Sequence, residues 1–224
     1  MRGAQFEVKN WVTGEDGRVG WVIVSTAELV PLLVSPEEFL AAEEAATERH
    51  EYVGGVIYAM AGAPERHNRI ASKALVALGR RLMESHCTAY NSDMKVRVQM
   101  QADIRFYYPD VHVTCQQAPP DQMFLEYPVV IVEVVSESTR RTDEQEKRSA
   151  YLSIPSLCAC VLLEQSRASA AVWRRHAGGF ALERHEGLEA TVELPEIEAV
   201  LPLAEVYRGV VFPGPGSDDA QGLR

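Results

Sequence analysis

One segment constrains the fold more than any other part of the chain: Pro128–Val135, with the sequence PVVIVEVV. It is rich in β-branched residues and lacks the polar alternation of a strand with one face in water. We therefore predict a central strand covered on both faces. Its single charge is Glu133. Burying an ionised carboxylate without a partner is costly, so the fold must bring a compensating group to this side chain.

Helix and strand patterns surround this segment. Ser35-Pro36-Glu37-Glu38 has the form of a capping box and predicts a helix to about Ala46. Gly54-Gly55 between two strand-like runs predicts a tight hairpin. Apolar residues at helical spacing predict an amphipathic helix between residues 64 and 86 that packs on the sheet. Further elements are expected as strands near 94–100, 103–107, 157–164 and 168–175, a half-buried strand at 109–115, a polar helix at about 138–153 and a hairpin near 179–184.

The 224 residues suit one domain with an appendage. With 46% hydrophobic and 24% charged residues, the chain is typical of a globular protein and not of a disordered one. We expect the domain at residues 35–212, an N-terminal extension with a possible hairpin at 1–34, and a disordered tail at 213–224. No apolar stretch reaches the roughly 20 residues that cross a bilayer, and we see no signal peptide, so we expect a cytoplasmic protein without a membrane partner.

Cysteine and net charge restrict the possible roles. The four cysteines, at 87, 115, 158 and 160, lack CxxC spacing and are interpreted as reduced core thiols. Cys158 and Cys160 would share one face of a strand, which leaves a redox or metal role open. The net charge of −10 argues against a protein that coats nucleic acid nonspecifically. A divalent metal and a local basic stripe can offset that mean charge.

Two acidic residues lie at strand positions. Asp110 follows Pro109 and opens an apolar strand, and Glu133 lies inside the central strand. If the two strands are neighbours and both carboxylates face the same side, their oxygens can hold one hard divalent cation. Mg²⁺, or Mn²⁺ in its place, would keep positions open for phosphate oxygens. Asp110 and Glu133 are therefore the predicted metal ligands.

The polar helix after the central strand adds Asp143, Lys147 and Tyr151 at four-residue spacing, hence along one face. Lys147 could reach back to neutralise developing charge and orient an attacking water. Several basic residues could form a phosphate track, although a solvated charged face is the more common explanation. They are Arg66, Lys73, Arg80, Arg81, Arg140 and Arg141.

These motifs resemble those of the Uma family of restriction-endonuclease-like proteins, in the PD-(D/E)xK nuclease superfamily. The resemblance covers roughly residues 34–210. It rests on the run at residues 51–60, His67, the segment at 108–111, the segment at 132–136, and on Thr139, Asp143, Lys147 and Tyr151.

The resemblance implies an α/β (α+β) fold, with a restriction-endonuclease-like mixed central sheet flanked by helices. It also implies Mg²⁺-dependent cleavage of DNA and a further carboxylate at Glu51. The superfamily pattern has a lysine two residues after Glu133, but this chain has Val135. Lys147 on the following helix is the expected substitute.

Two hypotheses follow. The first is an endonuclease that acts on DNA, with Glu51, Asp110, Glu133 and Lys147 as catalytic residues. A homodimer is compatible with this hypothesis. The alternative, motivated by Val135 and the acidic net charge, is a catalytically inactive nuclease-fold module for binding or regulation.

Single residues also have structural interpretations. Asp110 and Glu133 could be tied to buried cations, and Lys147 could pair with Asp143. Glu51 and His67 could be solvated. Tyr151 is interpreted as a packing residue or hydrogen-bond donor.

Overall fold

The computed structural model describes residues 9–13, 19–23, 33–60, 62–135 and 143–212. For residues 9–13, 19–23, 143 and 144 the description is limited to the backbone. The expected start of the polar helix, Arg140, Arg141 and the tail at 213–224 lie outside the described residues.

Helices and strands alternate along the described chain. The helices are α1 Pro36–Ala45, α2 Glu65–Arg81, α3 Asp143–Ser153 and α4 Leu203–Val206. The strands are β1 Lys9–Thr13, β2 Val19–Ile23, β3 His50–Val53, β4 Val56–Ala59, β5 Thr88–Asn91, β6 Lys95–Gln99, β7 Ile104–Tyr107, β8 Val111–Thr114, β9 Phe124–Leu125, β10 Pro128–Val135, β11 Ala159–Glu164, β12 Ser169–His176, β13 Gly179–Glu186, β14 Thr191–Leu194 and β15 Ala199–Pro202.

The main sheet is six-stranded, in the order β13-β12-β11-β10-β8-β5. It is mixed, because β10 and β11 are parallel whereas the other neighbours are antiparallel. This confirms the expected mixed α+β fold. A second, five-stranded sheet has the order β4-β3-β7-β6-β9. Strands β14 and β15 form a further antiparallel pair. Strands β1 and β2 form another, in the N-terminal extension where a hairpin was expected.

Local sequence signals account for the elements nearest the site. Ser35 and Glu38 form both bonds of the predicted capping box at the start of α1. The turn between β3 and β4 needs positive φ at two successive residues, and Gly54 at +56° and Gly55 at +100° supply it without a steric penalty. This hairpin carries Glu51.

Strand β10 is covered on both faces, as its composition predicted. Val130, Val132 and Val134 lie in one hydrophobic core with α2 and α4. Ile131 lies in a second core, on the other face, with residues of α3 and β6. Because side chains alternate along a strand, Glu133 faces the same side as Ile131. The site is therefore on the α3 side of the main sheet.

Three expectations need correction. Strand β8 is not half-buried, because all four of its residues are buried. Cys87 and Cys115 are not free thiols but form a disulfide, since their positions before β5 and after β8 are adjacent across that antiparallel pair. The short elements β5, β9, β14, β15 and α4 were not predicted, because their segments are too brief for a periodic pattern.

Cys158 and Cys160 are free, as expected, with Cys160 buried in the core that contains Ile131. None of the described helices combines the length and the apolar character needed to span a membrane.

Candidate active site

Asp110 and Glu133 lie side by side at one end of the β8-β10 pair. Val111 pairs with Val132 in antiparallel register, which brings the preceding Asp110 opposite Glu133. The backbone N–H of Asp110 donates to Glu133 Oε2 over 3.2 Å, and Val134 N–H donates to Asp110 Oδ2 over 2.8 Å. Each carboxylate is thus oriented by the other strand. The two acidic residues that the sequence separates by a long loop converge on one face.

This proximity changes the acidity of Glu133. Burial raises the pKa of Glu133 to about 8, and the Asp110 carboxylate adds to the rise. Lys147 and the hydroxyl of Tyr151 oppose it. Within the described part of the chain, no Lys or Arg nitrogen lies within 4.0 Å of the Glu133 carboxylate. Among the described residues, the groups that compensate the Glu133 charge are therefore the Tyr151 hydroxyl, the Asp110 N–H and the more distant charge of Lys147.

Glu51 and Lys147 form a close ion pair beside the two acids. Lys147 Nζ, on α3, donates to Glu51 Oε1 on β3 over 2.6 Å, and Glu51 is 8% exposed. Tyr108 N–H also donates to Glu51 Oε1, over 3.5 Å. Burial lowers the pKa of Lys147, but the Glu51 and Glu133 carboxylates outweigh it and the pKa is raised. Lys147 therefore carries its positive charge at neutral pH.

Two further side chains touch the acids. Tyr151 donates its hydroxyl hydrogen to Glu133 Oε1 over 2.8 Å, which agrees with its interpretation as a hydrogen-bond donor. His67 Nε2, in the first turn of α2, is 3.1 Å from Asp110 Oδ2. His67 is therefore not a solvated residue.

Apart from Glu51, these side chains line a cavity of about 700 Å³. Asp110, Glu133 and Lys147 are in its lining, together with Arg49 and Arg148. Sequence reasoning missed both arginines. The signal that could have found them was their place next to motif residues, since Arg49 precedes Glu51 by two positions and Arg148 follows Lys147.

The four described residues of the predicted phosphate track do not line this cavity, and Arg140 and Arg141 lie outside the described residues. Arg81 is bound to both carboxylate oxygens of Glu205, over 3.0 and 2.7 Å, and so joins α2 to α4. Arg66 donates to the carbonyl oxygen of Val211. Neither Lys73 nor Arg80 is among the residues that line the cavity.

The donor chemistry of the site fits a hard cation held by few protein ligands. Among the described side chains, His86, Cys87 and Cys115 form the one group of three whose ligand atoms lie within 4.8 Å of one another, and their two sulfurs are bonded to each other. Glu51 therefore does not join Asp110 and Glu133 in a compact triad. Two carboxylates with water and substrate oxygens match the way proteins bind Mg²⁺.

Together, the mixed sheet and the adjacent acids define a protein of the restriction-endonuclease-like class. The chain belongs to the Uma2 family, described as "Putative restriction endonuclease", whose sequence profile matches residues 36–204.

Two relatives are similar to this chain in sequence. An uncharacterized protein of Synechocystis sp. is 31% identical over 182 residues, covering 80% of this chain and 94% of the relative. A second from the same organism is 29% identical over 147 residues, covering 64% of this chain and 80% of the relative.

A solved structure shares the fold. It is the crystal structure of a "putative nuclease belonging to DUF820" from Anabaena variabilis, with a TM-score of 0.61 and 16% identity. The match covers 78% of this chain and 98% of that one.

Proposed function

We propose that the protein is a metal-dependent endonuclease that hydrolyses DNA phosphodiester bonds, with Asp110 and Glu133 as the metal ligands. The observation that carries the proposal is the pair of carboxylates on one sheet face, in a cavity that also contains the charged Lys147. Family membership supports the same chemistry.

Mg²⁺ is the cation we propose, with Mn²⁺ as a substitute. The site offers two carboxylates as oxygen donors. Burial and the Asp110 carboxylate raise the pKa of Glu133, so a bound cation would relieve the repulsion between the two acids. Such a cation polarises the phosphodiester and supplies hydroxide near neutral pH.

The chain's own residues would orient the reaction. Because its pKa is raised, Lys147 acts as an ammonium that donates hydrogen bonds to a phosphate oxygen or to the attacking water, and not as a base. Glu51 positions that ammonium. Tyr151 and His67 hold Glu133 and Asp110 in orientation.

Val135, at the usual lysine position, is the reason to consider the inactive module as an alternative. Val135 lines the cavity, but its side chain carries no polar group, so the usual lysine position supplies no positive charge to the site. The alternative function requires that no other cation substitutes for it. Lys147 lines the same cavity as the acids, which favours the active enzyme.

Plasmid cleavage tests the proposal. Purified protein with Mg²⁺ or Mn²⁺ should nick supercoiled DNA, and Asp110→Asn or Lys147→Met should reduce the rate by at least about a hundredfold. Asp121→Asn is the matched control, because Asp121 is exposed on a loop outside the cavity. Equal cleavage by the wild type and Asp110→Asn would overturn the assignment.

Metal titration separates the two hypotheses independently of turnover. Calorimetry with Mn²⁺ should detect a site that Glu133→Gln abolishes, whereas an inactive module without a metal site gives no heat in either protein. The homodimer and the cytoplasmic location expected from the sequence stay predictions. Sedimentation velocity, with and without DNA, checks the first of these.

A further inference from the structure

A second cavity lies on the other side of the Glu51–Lys147 ion pair. It has a volume of about 370 Å³, and both Lys147 and Met60 line it as well as the larger cavity. Lys147 therefore lies between two neighbouring spaces, and its partner Glu51 lines only the smaller one. A substrate whose reacting phosphate meets Lys147 has both spaces within reach.

Tyr58 gives this second cavity an aromatic surface. In the β3-β4 hairpin Glu51 is paired with Tyr58, so the two side chains lie on the same face as direct cross-strand neighbours. Tyr58 lines the cavity and is 52% exposed, so its ring is accessible to a ligand. Tyr107 contributes a second, buried ring to the lining.

The charges of the two cavities differ. The larger one contains the cations Arg49, Arg148 and Lys147 beside the acids Glu48, Asp110 and Glu133, and a cation bound to these acids would give it a net positive charge. The smaller one contains the carboxylates of Glu51 and Glu146, and Arg105 already holds Glu146 over 3.0 Å. Phosphate is therefore favoured in the first space and disfavoured in the second. An uncharged, flat group with N–H donors suits the second.

We propose that the smaller cavity binds one unstacked nucleobase against the ring of Tyr58, next to the phosphate that meets Lys147. The inference deepens the proposed nuclease function and rests on it. A base can lie on an aromatic ring only after it has left the duplex stack. The substrate class is therefore single-stranded or locally unpaired DNA.

Binding to a fluorescent oligonucleotide tests this directly. The probe is a single strand containing 2-aminopurine, whose fluorescence falls on stacking, measured with Ca²⁺ in place of Mg²⁺ to prevent cleavage. The wild type should quench the probe and bind it more tightly than the matching duplex. Tyr58→Ala should weaken single-strand binding by about 5- to 100-fold and abolish the quenching, whereas Tyr58→Phe should remain within about twofold.

Two further variants separate stacking from other effects. Tyr58→Leu keeps an apolar side chain at the strand position but has no ring, so it should behave like Tyr58→Ala. Tyr127→Ala removes another exposed tyrosine, 50% exposed and outside both cavities, and should bind like the wild type. Thermal melts of all variants check their folding.

Each result decides one question. Unchanged binding and quenching in both Tyr58→Leu and Tyr58→Ala overturn the nucleobase subsite, as does equal loss in Tyr127→Ala. A parallel assay of the wild type with Mg²⁺ reports cleavage separately. Tyr58-dependent binding without any cleavage would overturn the nuclease and leave the subsite intact.

Discussion

Lys147 and Glu51 connect helix α3 to strand β3 through a 2.6 Å contact between Nζ and Oε1. Because β3 is in the five-stranded sheet and the proposed metal ligands are at the six-stranded sheet, this ion pair bridges the two halves of the site. Lys147 therefore contacts Glu51 and also lines the cavity that contains Asp110 and Glu133. This position is what the proposed function requires of a helix residue that replaces the missing strand lysine.

The first prediction concerns this ion pair. Glu51→Gln should lower the free energy of unfolding by on the order of 1 to 3 kcal/mol, because it leaves the largely buried ammonium of Lys147 without its counterion. Adding Lys147→Met should recover part of that loss. Urea denaturation of the two single variants and the double variant measures the coupling. Strictly additive losses would contradict a direct interaction.

The second prediction concerns Glu133 in metal-free protein. Because the folded-state pKa of about 8 lies above the ordinary value of 4.5, the folded protein binds the proton more tightly than the unfolded chain. This contribution to stability is complete below pH 4.5 and is lost as the pH rises through about 8. Glu133→Gln should therefore stabilise the protein at pH 8.5 in EDTA by a few kcal/mol.

Denaturation curves at pH 6 and pH 8.5 measure this effect, with Asp121→Asn as the control for loss of a surface carboxylate. Mg²⁺ should remove most of the stability difference between the wild type and Glu133→Gln at pH 8.5, since only the wild type gains from the cation. A Glu133→Gln variant that is less stable than the wild type in EDTA at pH 8.5 would refute the prediction.

The third prediction concerns His112, which is buried in β8 and stacks on Tyr90 with ring centroids 5.6 Å apart. Neither ring nitrogen has a hydrogen-bond partner among the described residues. Burial lowers the pKa of His112 to about 3. The folded protein therefore resists protonation, and this contribution to stability is present above pH 6.5 and is lost as the pH falls towards 3.

His112→Phe keeps the aromatic stack without a titratable group. It should stabilise the protein by about 1 kcal/mol at pH 7 and by more at pH 5. Urea denaturation at both pH values gives the difference, and His86→Phe, at an exposed position, controls for the general loss of an imidazole. The same stability difference at both pH values would show that His112 does not titrate in this range.

The fourth prediction concerns the disulfide between Cys87 and Cys115, which spans 28 positions. Replacing both residues by alanine should cost about 3 kcal/mol, because the bond restricts the unfolded chain. In denaturant, Ellman's reagent should titrate two thiols, from Cys158 and Cys160, and four after reduction. Four thiols without a reductant would mean that the protein is isolated in the reduced form.

Much of the fold was predictable because its signals are local. The capping box of α1, the paired glycines of the hairpin and the apolar period of α2 depend on neighbouring residues, and each element lies where its pattern indicated. Strands β5 and β9 were not predicted, because neither segment has an alternating apolar pattern. Strand β5 has four residues and β9 has two. Strand β8 appeared half-exposed because the polar His112 and Thr114 alternate with valines, yet tertiary packing buries all four residues.

The sequence by itself determined which residue types are available for chemistry: a carboxylate within an apolar strand, another after Pro109, and a lysine on the next helix. It could not determine the partner of each charge, because the strands' register and the side of the sheet that α3 covers depend on packing across the whole chain. Only the tertiary structure placed Asp110 opposite Glu133, paired Lys147 with Glu51, and left the ring of Tyr58 open beside them. Contacts between residues distant in sequence arise from the shared burial of two cores, which no local pattern encodes.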